Sequence, residues 1–296
     1  MAEAPTGTAA SGDGRPREIG SGVFVHRGQL GVYTPGNGGD ICNTGFVIGA
    51  DAVAVIDTGG TAAVGRALRD HIRSLTDRPI RYVINTHMHP DHVLGNAAFK
   101  ADNPAFVGHG KLGAALTARA ERYLAFNMQA VGAEAFEGTE IIVPTVAVAS
   151  SQSIELGGRR LTLTARPTAH TDNDLTIHDS ATDILFTGDL IFSGHVPTLD
   201  GSIRGWLALL DTLAGQSVKQ IVPGHGPAAM PWPDAARPVQ RYLGAVAGGV
   251  RAAIREGRTM SDAIATVARE EQDQWELFDE FHGRNISAAF AELEWE

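Results

Sequence analysis

Six residues, HMHPDH at positions 87 to 92, bring three histidines and one aspartate together. Imidazole nitrogen and carboxylate oxygen are donors that suit a divalent ion such as zinc, at about 2.0 to 2.2 Å. In a locally extended turn, side chains two apart point the same way, so His87, His89 and Asp91 converge while the adjacent His92 points elsewhere. One ion cannot take all four comfortably. The arrangement that uses them all puts His87 and His89 on one ion and Asp91 and His92 on a second beside it.

Each ion then needs further donors, and three stretches downstream offer them. His170 closes LTLTARPTAH, Asp189 closes DILFTGD and His225 closes KQIVPGHG. Each is read as a strand end, where a rigid frame holds a side chain that remains accessible. Gly188, Gly224 and Gly226 beside them mark tight turns where backbone can approach a bound centre closely. The plain alternative, a polar loop whose histidines meet solvent, would need coincidence to act at all four places. Asp57, in VIDTGG, is read as orienting a ligand histidine through its other ring nitrogen. Cys42 is expected to pack as a small apolar group, and His195 to be an ordinary surface-loop residue. His26, His71, His178 and His282 are expected to be structural or exposed, and His109 carries no assignment.

The elements that must position these residues are legible as patterns. GVFVHRGQLGVY and ICNTGFVIGADAVAVIDTGG are β-rich, with a hairpin turn at 49 to 51. Val64, Leu68, Ile72 and Leu75 recur at helical spacing over residues 61 to 76, and IRYVINT follows as a strand leading into HMHPDH. A helix is expected over 92 to 101, a strand at AFVGHG, and a helix from 111 to 131. A second block follows: a hairpin at SIELGGRRLTLTARPT, paired strands LTIHD and DILFTGD, a helix over 202 to 214, and the strand KQIVPGHG. From about 234 to the end the pattern is helical. Two blocks of strands followed by crossover helices predict two mixed sheets packed face to face with helices outside, an α+β fold of αββα type. The first 20 residues are read as a flexible leader, and 21 to 296 as one domain.

Composition narrows the function. The chain has 296 residues, 43% of them apolar, and a formal charge of -10, so there is no global basic field for nucleic acid or an anionic membrane surface. No run of about 18 apolar residues would span a bilayer. Neither a nucleic-acid nor a membrane partner is expected; the expected partner is a small-molecule substrate, and nothing specifies an oligomeric state. The start of the chain lacks the charge and apolar run of a secretory signal. The chain as written is therefore expected in the cytoplasm, or in the periplasm if a signal was removed. A single cysteine rules out an internal disulfide.

The ordered set HMHPDH, TAHTDND, FTGDLI and VPGHG resembles the metallo-β-lactamase-fold hydrolase superfamily over roughly residues 23 to 226. The resemblance implies an αββα sandwich with a two-metal site at its upper edge. Position by position, it implies a first zinc on His87, His89 and His170 and a second on Asp91, His92 and His225, with Asp189 bridging them. An aspartate at 189 is similar to the glyoxalase-II-like and general hydrolase branches, where zinc β-lactamases carry Cys or Ser. GNGGDICNTGFVIGADAVAVIDTGG and VPTLDGSIRGWLALLD also resemble the quinoprotein relay system zinc metallohydrolases. The expected activity is hydrolysis of an ester, thioester, lactone or lactam by water activated between two Zn2+ ions, with Asp91 orienting that water and taking its proton. Iron or manganese would also suit these donors. The competing expectations on the same fold are a one-iron oxygenase of the persulfide-dioxygenase kind, a β-lactamase and a phosphodiesterase.

Overall fold

The computed structural model describes residues 14–296. Its first sheet takes seven strands in chain order: β1 (Arg17–Gly20), β2 (Val23–His26), β3 (Thr44–Ile48), β4 (Val53–Ile56), β5 (Ile80–Ile84), β6 (Ala105–His109) and β7 (Val146–Val148). The first four pair antiparallel, and β5, β6 and β7 are added in parallel. The β3–β4 hairpin turns where the sequence placed it, with the Gly49 amide donating to the Ala52 carbonyl at 2.9 Å.

Between β4 and β5 runs α1 (Ala62–Leu75). Thr61 caps its start by accepting from the Val64 amide, and Leu68 and Ile72, one turn apart, pack on Phe46, Val55 and Val83. With helices on one face and the second sheet on the other, β4 is buried at every position, as its unbroken VAVI run requires. After β5 come α2 (Pro90–Val93), a 3-10 stretch (Leu94–Asp102) and, beyond β6, α3 (Leu112–Val131).

The second sheet holds β8 (Ser151–Glu155), β9 (Arg160–Ala165), β10 (Leu175–Asp179), β11 (Ile184–Phe192), β12 (Gln220–His225) and β13 (Met230–Pro231) in spatial order 13-12-11-10-9-8. All neighbours are antiparallel except β11 and β12, which α4 (Ile203–Ala214) connects as a parallel crossover. Along β9, Leu161 and Leu163 point inward while Thr162 and Thr164 alternate outward. Val47, Ile56 and Ile84 of one sheet meet Leu163, Ile177 and Phe186 of the other, forming the core between them. The helices α5 (Arg237–Arg255), α6 (Met260–Thr266) and α7 (Phe278–Leu293) join α4 over the outer face of the second sheet around Trp206 and Tyr242. This is the αββα sandwich of two mixed sheets. Among the described residues, no helix is long and apolar enough to cross a membrane.

Several expectations need correction. Of the leader expected over 1 to 20, residues 1 to 13 lie outside the described residues, and residues 17–20 form the edge strand β1. The short strands β7 and β13 carry too few residues to show a period. The helix expected over 92 to 101 is one α turn followed by the 3-10 stretch. There a β-carbon on Gly95 would lie 2.0 Å from the Thr58 carbonyl, and the Asn96 side chain is bonded to Asn85 and Thr58. The segment is shaped by tertiary contacts rather than by helix propensity.

Candidate metal centre

Asp57 and Thr58 follow the end of β4, and HMHPDH follows the end of β5. His89 is extended and stands at the position before α2, whose first residue is Pro90, so the chain changes direction between the two donor pairs. Met88 points away into an apolar cluster with Leu94 and Leu112. His225 ends β12 as expected. Two of the strand-end placements differ from the sequence reading. His170 lies five positions past Ala165, the last residue of β9, in the loop before β10. Asp189 sits inside β11, where the pairing with β12 is irregular on both sides of Gly188.

All seven expected residues meet. His87 Nε2 and His170 Nε2 lie 3.1 and 3.0 Å from His89 Nδ1, and 3.7 and 3.5 Å from Asp189 Oδ2. On the other side, His92 Nε2 is 3.1 Å from Asp189 Oδ1 and 3.5 Å from Asp91 Oδ2. His225 Nε2 is 3.3 Å from Asp91 Oδ2 and 3.4 Å from Asp189 Oδ2. Asp189 thus belongs to two donor groups, one with His87, His89 and His170 and the other with His92 and His225. Donors at zinc-like distances around a tetrahedral centre are about 3.4 Å apart, so both groups have the spacing of a coordination shell.

Two further observations show that the residues fit a cation. Buried polar atoms normally have well-aligned partners, yet His92 Nε2 and Asp189 Oδ1, 3.1 Å apart, are buried without a hydrogen bond of good geometry to each other or to any other group. Asp57, Asp91 and Asp189 are all buried, and among the described residues no Lys or Arg pairs with them. Buried carboxylates need compensating positive charge. Burial works against the charge of Asp91, but His92 and His225 hold its carboxyl below the usual range, and Asp189 is lowered further by His225, His92 and His87. Burial and the neighbouring histidines lower His87 well below its ordinary value, and His170 falls to about 3, chiefly through burial. Both are therefore neutral, as ligating imidazoles must be. His92 and His225 are raised despite burial because Asp189 and Asp91 face them, a role that a divalent cation would take over.

The outer ring nitrogens are all held. His92 Nδ1 lies 2.8 Å from Asp57 Oδ2, the contact expected of Asp57. The Thr86 hydroxyl donates to the same oxygen at 2.7 Å and lies 3.0 Å from His87 Nδ1. His170 Nδ1 lies 2.6 Å from the Thr198 carbonyl, His225 Nδ1 2.9 Å from the Ile41 carbonyl, and His89 Nε2 3.1 Å from Asp200 Oδ2. Each contact holds a proton on the outer nitrogen, so that with a cation in place of the inner protons of His92 and His225 every remaining lone pair would face the cluster. Asp57 adopts φ 54, a left-handed conformation that lets its carboxylate reach both Thr86 and His92. Gly224 is required beside Asp189, since a β-carbon there would lie 1.8 Å from Asp189 Oδ1.

Other neighbours were not anticipated. Cys42 is buried as expected, but at the site, where its thiol donates to the Asp91 carbonyl at 2.9 Å. Burial and the nearby carboxylates push that thiol well up, so it stays protonated. His195 is not a surface residue. It is buried against His225 and Phe281, and burial with the charge of His225 lowers it to about 4. The Tyr33 hydroxyl is buried without a hydrogen-bond partner, and burial and the charge of Asp91 raise it, so it stays protonated. Asp200 and Tyr33 sit in sequence contexts with no spacing pattern that could have marked them.

A family model described as the metallo-beta-lactamase superfamily matches residues 37–225, most of the chain and every residue of the cluster. The chain belongs to the metallo-beta-lactamase superfamily. The chain is 26% identical to the acyl-coenzyme A thioesterase MBLAC2 of Bos taurus, over 71% of this chain and 80% of that protein. A stretch of 62 residues is 29% identical to a linear primary-alkylsulfatase of a Pseudomonas species and spans 12% of that protein. Among solved structures, a metallo-beta-lactamase from Pontibacter korlensis superposes with a TM-score of 0.62 and 20% identity over 78% of this chain and 98% of that one. The sec-alkyl sulfatase PisA1 gives a TM-score of 0.70 and 16% identity over 95% of this chain and 50% of that one. Those two likenesses establish the superfamily fold.

Proposed function

We propose that this chain is a hydrolase that holds two zinc ions, one on His87, His89 and His170 and one on Asp91, His92 and His225, with Asp189 shared, and that it cleaves an acyl thioester or ester of a small molecule. The observation that carries the reading is the position of Asp189, one oxygen 3.1 Å from His92 Nε2 and the other 3.5 Å from His170 Nε2. Bound in pairs, such ions lower the pKa of water from about 15.7 toward neutrality and polarise a carbonyl for attack. Asp91 lies on the side of His92 and His225 and is held as a carboxylate, so it can orient that water through one oxygen and take its proton. Asp57, Thr198, Asp200 and the Ile41 carbonyl keep the histidines in the tautomers this requires. Thioesters come first because the thioesterase relative aligns over most of its own length.

The test is hydrolysis by the zinc-loaded chain of an acyl-coenzyme A, a lactone, a β-lactam, an alkyl sulfate and a phosphodiester. The reading expects the acyl-coenzyme A to turn over best and Asp91→Asn to lower kcat by about 10^2 to 10^4-fold. Turnover of the sulfate alone, or of the phosphodiester alone, would replace the proposed substrate class.

A further inference from the structure

We infer that Asn285 and Glu292, on the last helix, are positioning residues for one half of the metal centre: they set the affinity of the His87–His89–His170 position and leave the other position unaffected. Both lie beyond residues 37–225, the span that the family model matches. The inference rests on the proposed two-metal reading and adds to it the part of the chain that decides how well one of the two positions is built.

The connection runs through residues 196–203. Thr198 and Asp200 of this segment hold the outer nitrogens of two histidines of the same donor group, His170 and His89. The segment is further tied to that loop by the Asp200 amide donating to the His170 carbonyl at 3.0 Å and the Ser202 amide donating to the Ala169 carbonyl at 2.9 Å. Its other side is gripped by α7. Asn285 accepts from the Leu199 amide at 2.9 Å and donates to the Pro197 carbonyl at 2.6 Å, so its amide brackets Thr198. Glu292 accepts from Ser202 Oγ at 2.7 Å and from the Ile203 amide at 2.8 Å, fixing the start of α4 next to Asp200.

Asn285 is itself held from behind. Its amide also donates to Tyr242 Oη at 2.8 Å, that hydroxyl lies 3.0 Å from His282 Nδ1, and His282 Nε2 lies 2.9 Å from the Val267 carbonyl. These groups are buried, so the chain of bonds has no water to fall back on when one member is removed. The second position has no such hydrogen-bonded tie; α7 meets it through the Phe281 ring against His195, whose own ring packs on His225. His92 and His225 take their outer partners from Asp57 and Ile41, both in the N-terminal half of the chain. A loss at Asn285 therefore removes hydrogen bonds from the segment that holds His89 and His170 and none from the partners of His92 and His225.

The experiment uses the full chain and zinc alone. Stepwise competition with a chromophoric chelator gives the affinity of each equivalent, and long-range 1H–15N spectra of the zinc-loaded protein show which imidazoles respond. Asn285→Ala is expected to weaken one equivalent by about 10 to 100-fold and keep the other within about threefold, with His89 and His170 signals moving and His92 and His225 signals in place. Glu292→Ala, at the rim and accessible if Asn285→Ala fails to fold, is expected to do the same by about tenfold. Val250→Ala, buried in α5 outside this chain of bonds, lowers stability and should leave both affinities unchanged. The inference is overturned if Asn285→Ala and Glu292→Ala bind both equivalents like the parent, or if Val250→Ala weakens one as much. A parent chain that binds no zinc overturns the reading beneath it, which is a separate outcome.

Discussion

Replacing Asp57 by Asn should damage both metal positions at once, through hydrogen-bond polarity rather than shape. Asp57 is buried and accepts from the Thr86 amide at 2.8 Å, from Thr86 Oγ1 at 2.7 Å and from His92 Nδ1 at 2.8 Å. In Asn, one oxygen can still serve the Thr86 amide, but an NH2 group then faces two donors. Thr86 can rotate to accept from it, which turns its proton toward His87 Nδ1, 3.0 Å away. His87 must then carry its own proton on Nε2, the atom that faces the first position, while His92 loses its acceptor and the tautomer that suits the second. The backbone is not the cause, because Asn tolerates the φ of 54 that Asp57 adopts. Losing such an outer contact costs about 10 to 100-fold in metal affinity, or about 1.4 to 2.7 kcal/mol per position. The metal-free fold should lose about 1 to 3 kcal/mol from the donor left unpaired. Chelator competition on Asp57→Asn, beside thermal melts with and without zinc, measures both terms. If both equivalents bind within a factor of about three of the parent, the tautomer argument is wrong.

Gly224→Ala should displace the Asp189 carboxylate, whose Oδ1 would sit 1.8 Å from the new carbon; metal bound per chain should fall to one equivalent or less, and parent-like content would contradict the close approach. Thr61→Ala removes the cap of α1 and a 2.9 Å donation to the Gly38 carbonyl, lowering stability by about 1 kcal/mol with metal content unchanged; calorimetry and metal analysis check the two halves. His26 pairs with Asp40 at 2.7 Å, and although burial works to lower its pKa, the bond to Asp40 raises it. A raised histidine stabilises fully below its unfolded pKa of about 6.5 and loses that contribution as pH rises through the folded value. The melting advantage of the parent over His26→Asn should therefore shrink from pH 5.5 toward pH 9, as scanning fluorimetry across pH would show; an advantage that grows with pH would refute it.

Much of this was legible in the sequence because the information is local. Leu68 and Ile72 mark the face of α1, the Leu161 and Leu163 alternation marks β9, and HMHPDH fixes four donors within six residues. His170, Asp189 and His225 could be selected by order and type, and they do meet the others. What the sequence could not show depends on tertiary geometry. Asp189 looked like a strand end because Gly188 beside it reads as a tight turn, whereas the parallel partner β12 carries β11 on to Phe192. His195 looked like a loop residue because its burial comes from Phe281, some 86 positions away, and Asp200 gave no sign that it would reach His89. The 3-10 stretch after HMHPDH follows from the contact of Gly95 with Thr58, which no propensity encodes.

The most direct measurement is elemental analysis of the purified full chain after equilibration with zinc and gel filtration, with Asp189→Ala alongside. Two zinc equivalents per chain, falling to one or none in Asp189→Ala, are what a carboxylate shared between two donor groups requires. One tightly held iron, or a single zinc unaffected by that substitution, would contradict it.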